Sequence, residues 1–165
     1  MRRFLSSVAA AVLATAAFAQ TAAAAEPTRE DISSTDTAVL ADVCSFPVTV
    51  QATVTGTETT FFDQTGNITR IQIHVVEQDV FSANGRTLVG LPFTFNLQVL
   101  FDPDSGEVTH AFASGVTERV PLPGGDLFLT AGRLDFAAHP GEPFIIQPDV
   151  GAQGNLEGFC AALSP

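Results

Sequence analysis

Residues 93–101 read Phe-Thr-Phe-Asn-Leu-Gln-Val-Leu-Phe, so that apolar side chains alternate with Thr94, Asn96 and Gln98. Successive side chains of a β-strand point to opposite faces of a sheet, and this period of two predicts a strand with one buried face. The odd-numbered side chains are expected to point inward together, with the three polar ones pointing outward.

Weaker versions of the same alternation occur along the rest of the chain. They predict further strands at residues 48–54, 59–62, 71–75, 78–81, 86–89, 108–113, 116–120, 126–130, 133–136 and 144–146. Turn residues separate these segments, most clearly at Asn84-Gly85, where both residues tolerate a positive φ. No helical period is long enough for a βαβ crossover. The sequence therefore predicts an all-β fold, an antiparallel β-barrel or closed β-sandwich of about eight to ten strands.

The first 25 residues have the order of a secretory signal peptide, with a basic start, an apolar Ala-rich run and small residues before Ala19 and Ala25. A membrane anchor is the alternative, although the apolar run is short for a bilayer crossing. Residues 26–43 are polar and acidic and are expected to form a flexible lead-in. Residues 44–165 are expected to form a single all-β domain that is secreted, extracellular and free of the membrane after signal cleavage.

Cys44 and Cys160 are the two cysteines of the chain. In an exported protein, two cysteines are typical of a disulfide bond. A disulfide between these positions would join the first strand of the domain to its C-terminal tail.

The chain carries 18 acidic and 7 basic residues, for a formal net charge of −11. This acidity excludes a nucleic-acid partner, because phosphate binding requires a basic surface. Lys, Trp and Tyr are absent. The lack of Trp and Tyr weakens a carbohydrate-binding role, in which flat aromatic side chains commonly stack on sugars.

A resemblance to other proteins is found in two short segments, Cys44-Ser45-Phe46-Pro47-Val48 and Phe159-Cys160-Ala161-Ala162-Leu163. In both, the chain resembles small secreted proteins of actinobacteria whose function is uncharacterised. The resemblance would span the domain from Cys44 to the C-terminus. It implies no activity, so it assigns no role to any residue.

Acidic residues and histidines suggest two metal sites, neither of them complete. Asp102 and Asp104, followed by Gly106, match the start of a calcium loop, but the acid expected at the twelfth position is missing. His74, His110 and His139 lack the paired spacing of zinc ligands. No metal and no cofactor are therefore expected.

Catalytic motifs are also missing, since no Gly-x-Ser-x-Gly elbow is present and no serine has a histidine and an acid at a recognisable spacing. The first expectation is a non-catalytic binding or structural domain with an unidentified extracellular partner or small ligand. The second is an apolar-ligand-binding or cyclase-like β-barrel with a pocket lined by Phe95, Phe101, His110 and Phe112. The third is a protease inhibitor that presents the turn at residues 121–125.

Overall fold

The structure, a computed structural model, describes residues 25–140 and 144–165. Apart from Ala25, the predicted signal peptide lies outside the described residues. Within them, the elements in chain order are β1 Thr28–Leu40, β2 Val48–Phe62, β3 Ile68–Ala83, β4 Arg86–Val89, β5 Phe93–Phe101, β6 Val108–Pro121, β7 Leu127–Asp135, a 3₁₀ turn at Phe136–Ala138, β8 Val150–Ala152 and the helix α1 Leu156–Leu163.

The strands form one antiparallel sheet in the order β1-β2-β3-β5-β6-β7-β8, with β4 paired to β3 beside this path. The predicted all-β antiparallel fold is confirmed. The sheet is not closed into a barrel, because the outer strands β1 and β8 are not hydrogen-bonded neighbours. Eight strands in the described part of the chain agree with the expected number.

The alternation in β5 behaves as predicted at its start. Phe93 is buried on the inner face, while Thr94 and Asn96 are exposed. From Leu97 onward both faces of the strand are half-buried, because β5 continues between β3 and β6 beyond the main core.

The expected flexible lead-in is wrong for Thr28–Leu40, which forms β1. This strand pairs with β2 along its whole length, from Thr28 opposite Thr60 to Leu40 opposite Val48. Its side chains are almost all exposed. The strand is therefore held in place by backbone hydrogen bonds to β2 and not by burial of its side chains. The acidic groups on this edge also discourage pairing with another chain.

The main core shows that the sheet is strongly curved. Val50 of β2 and Phe128 of β7 belong to the same buried cluster, although β3, β5 and β6 lie between those two strands. Phe159 of α1 completes this core and packs against Phe81 and Phe128 with ring centroids 5.0 and 4.9 Å apart. The helix therefore covers one end of the concave face.

The predicted Cys44–Cys160 disulfide is confirmed, with the two Cα atoms 5.6 Å apart. It ties the segment between β1 and β2 to α1, across 116 positions of sequence. Because α1 is short and isolated helices of this length are marginal in water, the disulfide and the buried Phe159 hold it against the sheet.

In residues 25–140 and 144–165, no helix is long and apolar enough to cross a membrane.

Candidate functional site

A cavity of about 150 Å³ lies on the concave face of the sheet, next to the main core. Most of the described side chains around it are apolar, and among them Glu77 contributes the only carboxyl group. The lining residues are Glu77, Phe95, Ala113, Thr117, Leu134, Phe136, Phe144 and Ile145.

Four neighbouring strands position these side chains. Glu77 lies on the inner face of β3 opposite Phe93, and Phe95 follows on the same face of β5. Ala113 and Leu134 face each other across β6 and β7. Phe144, from the segment after the 3₁₀ turn, contacts Phe81 of the main core edge to face, with ring centroids 6.4 Å apart.

A β-bulge in β6 gives the cavity its polar end. Val116 pairs with Ala131 and Glu118 with Thr130, so Thr117 is the extra residue between them. As a result Thr117 lines the cavity, while Glu118 is fully buried. The hydroxyl groups of Thr117 and Thr130 are hydrogen-bonded at 2.8 Å.

Glu77, Asp79 and Glu118 form a row of buried carboxyl groups behind the cavity, which we call the carboxyl row. Glu77 is 8% exposed, and Asp79 and Glu118 are fully buried. The carboxyl of Asp79 is within hydrogen-bonding reach of both Glu77 and Glu118. Of the three, only Glu77 reaches the cavity.

Few hydrogen-bond donors contact the carboxyl oxygens of the carboxyl row. The backbone N–H of Arg119 donates to Glu118 Oε1 at 3.0 Å. Within the described residues, Glu118 Oε2 and both carboxyl oxygens of Asp79 have no hydrogen-bond donor. The carboxyl groups interact with one another, and a carboxyl can donate only when it carries a proton.

Burial is the main cause of raised pKa values in the carboxyl row. It raises the pKa of Glu77 to about 8, with the nearby charge of Asp79 as a second cause. Burial also raises the pKa of Asp79 to about 8 and that of Glu118 to about 7. Near neutral pH the carboxyl row therefore retains protons, and its members can hydrogen-bond to one another.

The four residues expected to line a pocket occupy two faces of the sheet. Phe95 lines the cavity on the concave face. Phe112 and His110 alternate with the inward-facing Ala113 along β6 and so lie on the opposite face, because strand side chains alternate. Phe101 is half-buried at the end of β5, where the pairing with β6 shifts at a bulge.

The three histidines have different neighbours and do not form a common site. His110 Nε2 lies 3.6 Å from Asp135, and Arg133 stacks beside it on the ring of Phe112 at 4.3 Å. His74 Nδ1 contacts Asn96 Oδ1 at 3.1 Å, and His139 Nε2 contacts the carboxylate of Asp149 at 2.8 Å.

The calcium candidates lie in a tight turn between β5 and β6. Asp102 Oδ1 accepts hydrogen bonds from the backbone N–H groups of Asp104 and Ser105, at 2.9 and 3.0 Å. These bonds lower the pKa of Asp102 and stabilise the turn, so the position of Asp102 is explained by its role in the turn. In the part of the chain that the structure describes, no group of three His, Cys, Asp or Glu residues is arranged to hold a metal ion.

The turn considered for protease inhibition is anchored to the core. Leu122 is buried, and its backbone N–H donates to the carbonyl of Asp126 at 2.8 Å. The apolar side chain of this turn therefore packs inside the protein.

Comparison with protein-family models, with curated proteins and with solved structures finds no match for this chain.

The carboxyl row is the part of the site that sequence reasoning missed. Its signal was present in β3, where Glu77 and Asp79 occupy the same alternating positions as Val75 and Phe81. Acidic residues at inward-facing positions of a strand are unusual, because charged groups are seldom fully buried. Glu118 was hidden by the bulge at Thr117, which shifts the alternation of β6 by one residue.

Proposed function

We propose that this protein is a non-catalytic binding protein that takes a small, mainly apolar ligand in the cavity on its concave face. The observation that carries the proposal is the cavity of about 150 Å³, lined by apolar side chains and one carboxyl group. Ligand sites are typically concave and mostly apolar, with a few polar groups that fix the orientation of the ligand.

The size of the cavity limits the enclosed part of the ligand. An apolar protein cavity of roughly 150 Å³ holds a molecule of the size of benzene. The ligand is therefore a small ring or short branched chain, with one polar group directed at Glu77. Phe136 is partly exposed at the rim, so a larger molecule can extend from the cavity into solvent.

Binding of the apolar part follows from the hydrophobic effect. Removing apolar surface from water contributes about 25 cal/mol per Å². A benzene-sized group buried against Phe95, Leu134 and Phe144 therefore gives measurable but modest affinity, because binding also costs translational and rotational freedom.

A purely structural or protein-binding role is the second candidate. The observation that favours it is the exposed strand β1, whose long polar surface carries Glu30, Asp31 and Asp36. Such a surface would bind a cationic partner, and that interaction would weaken as salt rises to physiological concentration.

The test of the proposed function is an NMR titration of the folded protein with benzyl alcohol. We expect backbone amide signals of β3, β5, β6 and β7 around the cavity to shift in a saturable manner, while those of β1 remain unchanged. Shifts spread over the whole surface, or no saturable shift at millimolar ligand, would contradict the proposal.

Two matched variants locate the binding site. Ala113→Leu adds side-chain volume directly into the cavity, and we expect it to abolish the titration. Ala152→Leu makes the same change at an exposed position of β8 and is expected to bind as the unmodified protein does. Thermal unfolding of both variants shows that each is folded before it is titrated.

We further propose that the protein is exported and acts outside the cell. The signal-like order of residues 1–25 supports export. The Cys44–Cys160 disulfide is compatible with it, since disulfides persist mainly in oxidising compartments.

A further inference from the structure

Among the described residues, no Arg is paired with the carboxyl row. The chain has no Lys, and five Arg lie in its described part. Arg119 is adjacent to Glu118 in sequence, but its guanidinium donates to the carbonyl of Pro92 instead. Arg70 and Arg133 stack on Phe61 and Phe112, at 3.9 and 4.3 Å from the ring centroids.

Buried carboxyl oxygens without a donor are costly, because they lose their hydration and gain nothing in return. Within the described residues, both oxygens of Asp79 and Oε2 of Glu118 have no donor outside the carboxyl row, so only a proton held within the row can satisfy them. The carboxyl row is connected to solvent through Glu77 and the cavity. A positively charged group in the cavity would pair with Glu77, the member of the carboxyl row that lines it.

We propose that the ligand of this cavity is a small amphiphilic amine. Its ammonium group binds the carboxylate of Glu77, and its apolar part packs on Phe95, Leu134 and Phe144. This inference rests on the proposed function, because it takes the cavity as the ligand site.

Charge favours an amine over other ligands of the same size. An anionic ligand would be repelled by Glu77 and by the net negative charge of the protein, which instead raises the local concentration of cations. An alcohol or ketone forms a hydrogen bond with Glu77 but compensates no charge. An ammonium group supplies three donors and a positive charge at Glu77, the carboxyl that reaches the cavity among the described residues.

The proposal predicts that proton release accompanies binding. The groups that face Glu77 are Asp79 from β3 and, behind it, Glu118 from β6. The side chains that β5, β7 and the 3₁₀ turn contribute to the cavity are Phe95, Leu134 and Phe136, none of which titrates. The pKa of Glu77 is raised to about 8, so an amine that binds below this pH displaces a proton.

The experiment is isothermal titration calorimetry with benzylamine and its neutral counterpart, benzyl alcohol. Where binding releases one proton, the affinity increases about tenfold for each unit by which the pH is raised, until the pH reaches the pKa of the carboxyl. We expect this rise for benzylamine between about pH 6 and about pH 7.5, and no rise for benzyl alcohol. Repeating the titration in two buffers of different ionisation enthalpy counts the protons released.

Glu77→Gln keeps the shape of the side chain and removes its charge. We expect this variant to bind benzylamine at least tenfold more weakly near neutral pH, and benzyl alcohol within about threefold of the unmodified protein. Glu157→Gln, at an exposed position of α1, is the matched control and should change neither affinity.

The outcomes separate this inference from the proposed function. If benzyl alcohol binds at least as tightly as benzylamine at every pH, and no proton is released, the amine is refuted while the cavity remains a ligand site. If neither molecule binds, both proposals fail. The proton count is made on the unmodified protein, so the inference stays testable even if Glu77→Gln does not fold.

Discussion

Replacement of Asp79 by Asn should change the pH dependence of stability more than any other single substitution in the carboxyl row. Asp79 is fully buried in β3, and neither of its carboxyl oxygens has a donor among the described residues. Asn has nearly the same shape and stays neutral at every pH. Its amide group can donate to Glu118 Oε2 at every pH, whereas the carboxyl of Asp79 can donate only while it carries a proton.

The sign of the effect follows from the raised pKa. In the unfolded chain an aspartate loses its proton near pH 3.9, whereas in the folded protein burial raises the pKa of Asp79 to about 8. Between these values the folded state binds more protons than the unfolded state, so stability falls as pH rises. The stabilising contribution is complete below the unfolded pKa and is lost as pH approaches the folded pKa.

The magnitude follows from the same linkage. One such carboxyl lowers the free energy of unfolding by about 1.4 kcal/mol for each pH unit in this window. From about pH 5 to about pH 7, ionisation of Asp79 therefore lowers the free energy of unfolding by roughly 3 kcal/mol, a loss that Asp79→Asn does not show. The pKa values of Asp63, Asp102 and Asp149 are lowered, so these groups contribute only at more acidic pH.

Urea unfolding at several pH values between about 5 and 8 measures this difference. We expect the unfolding free energy of the unmodified protein to fall with pH, and that of Asp79→Asn to fall less steeply and to be the higher of the two near neutral pH. Asp126→Asn, at an exposed turn position, should leave the slope unchanged. Parallel curves for the unmodified protein and Asp79→Asn would show that Asp79 is not protonated in the folded protein near neutral pH.

Three further predictions concern the framework of the protein. Cys44→Ser should lower the free energy of unfolding by about 2 to 5 kcal/mol, measured by urea unfolding, because the unfolded chain loses its cross-link; an unchanged midpoint would contradict this. Gly115→Ala should lower the free energy of unfolding by about 1 to 3 kcal/mol, because Gly115 has φ +133° and an added Cβ would lie 2.9 Å from the Cα of Phe95. The same unfolding experiment tests this prediction, and an unchanged free energy would show that β5 and β6 separate easily. The intact mass of the secreted protein should correspond to cleavage after Ala25, and a mass that still includes residues 1–18 would favour the membrane anchor.

The local patterns of the sequence predicted the strands and the disulfide, because these depend on side-chain alternation and on the number of cysteines. Residues 93–101 alternate cleanly and form β5, and the turn at Asn84-Gly85 joins β3 to β4. Strand lengths were less predictable. The segments 48–54 and 59–62 join into β2 because backbone pairing with β1 and β3 continues through the polar residues between them.

Other features depend on tertiary contacts that a local pattern does not contain. The segment at 144–146, which alternates weakly, is not a strand, and Phe144 packs on the core instead. Helix α1 is too short to show a helical period, and its sequence signal is the N-cap Asn155, which accepts a hydrogen bond from the N–H of Gly158. The carboxyl row joins two strands distant in sequence, and the bulge at Thr117 conceals one of its members.

A crystal structure of the protein under xenon pressure shows whether the concave face carries an apolar ligand site, because xenon enters apolar protein cavities. We expect a xenon atom on the concave face, between Phe95, Leu134 and Phe144, and no xenon there in Ala113→Leu crystals. A cavity filled by the ring of Phe95, or xenon bound only elsewhere, would contradict the claim that this protein carries a ligand site on that face.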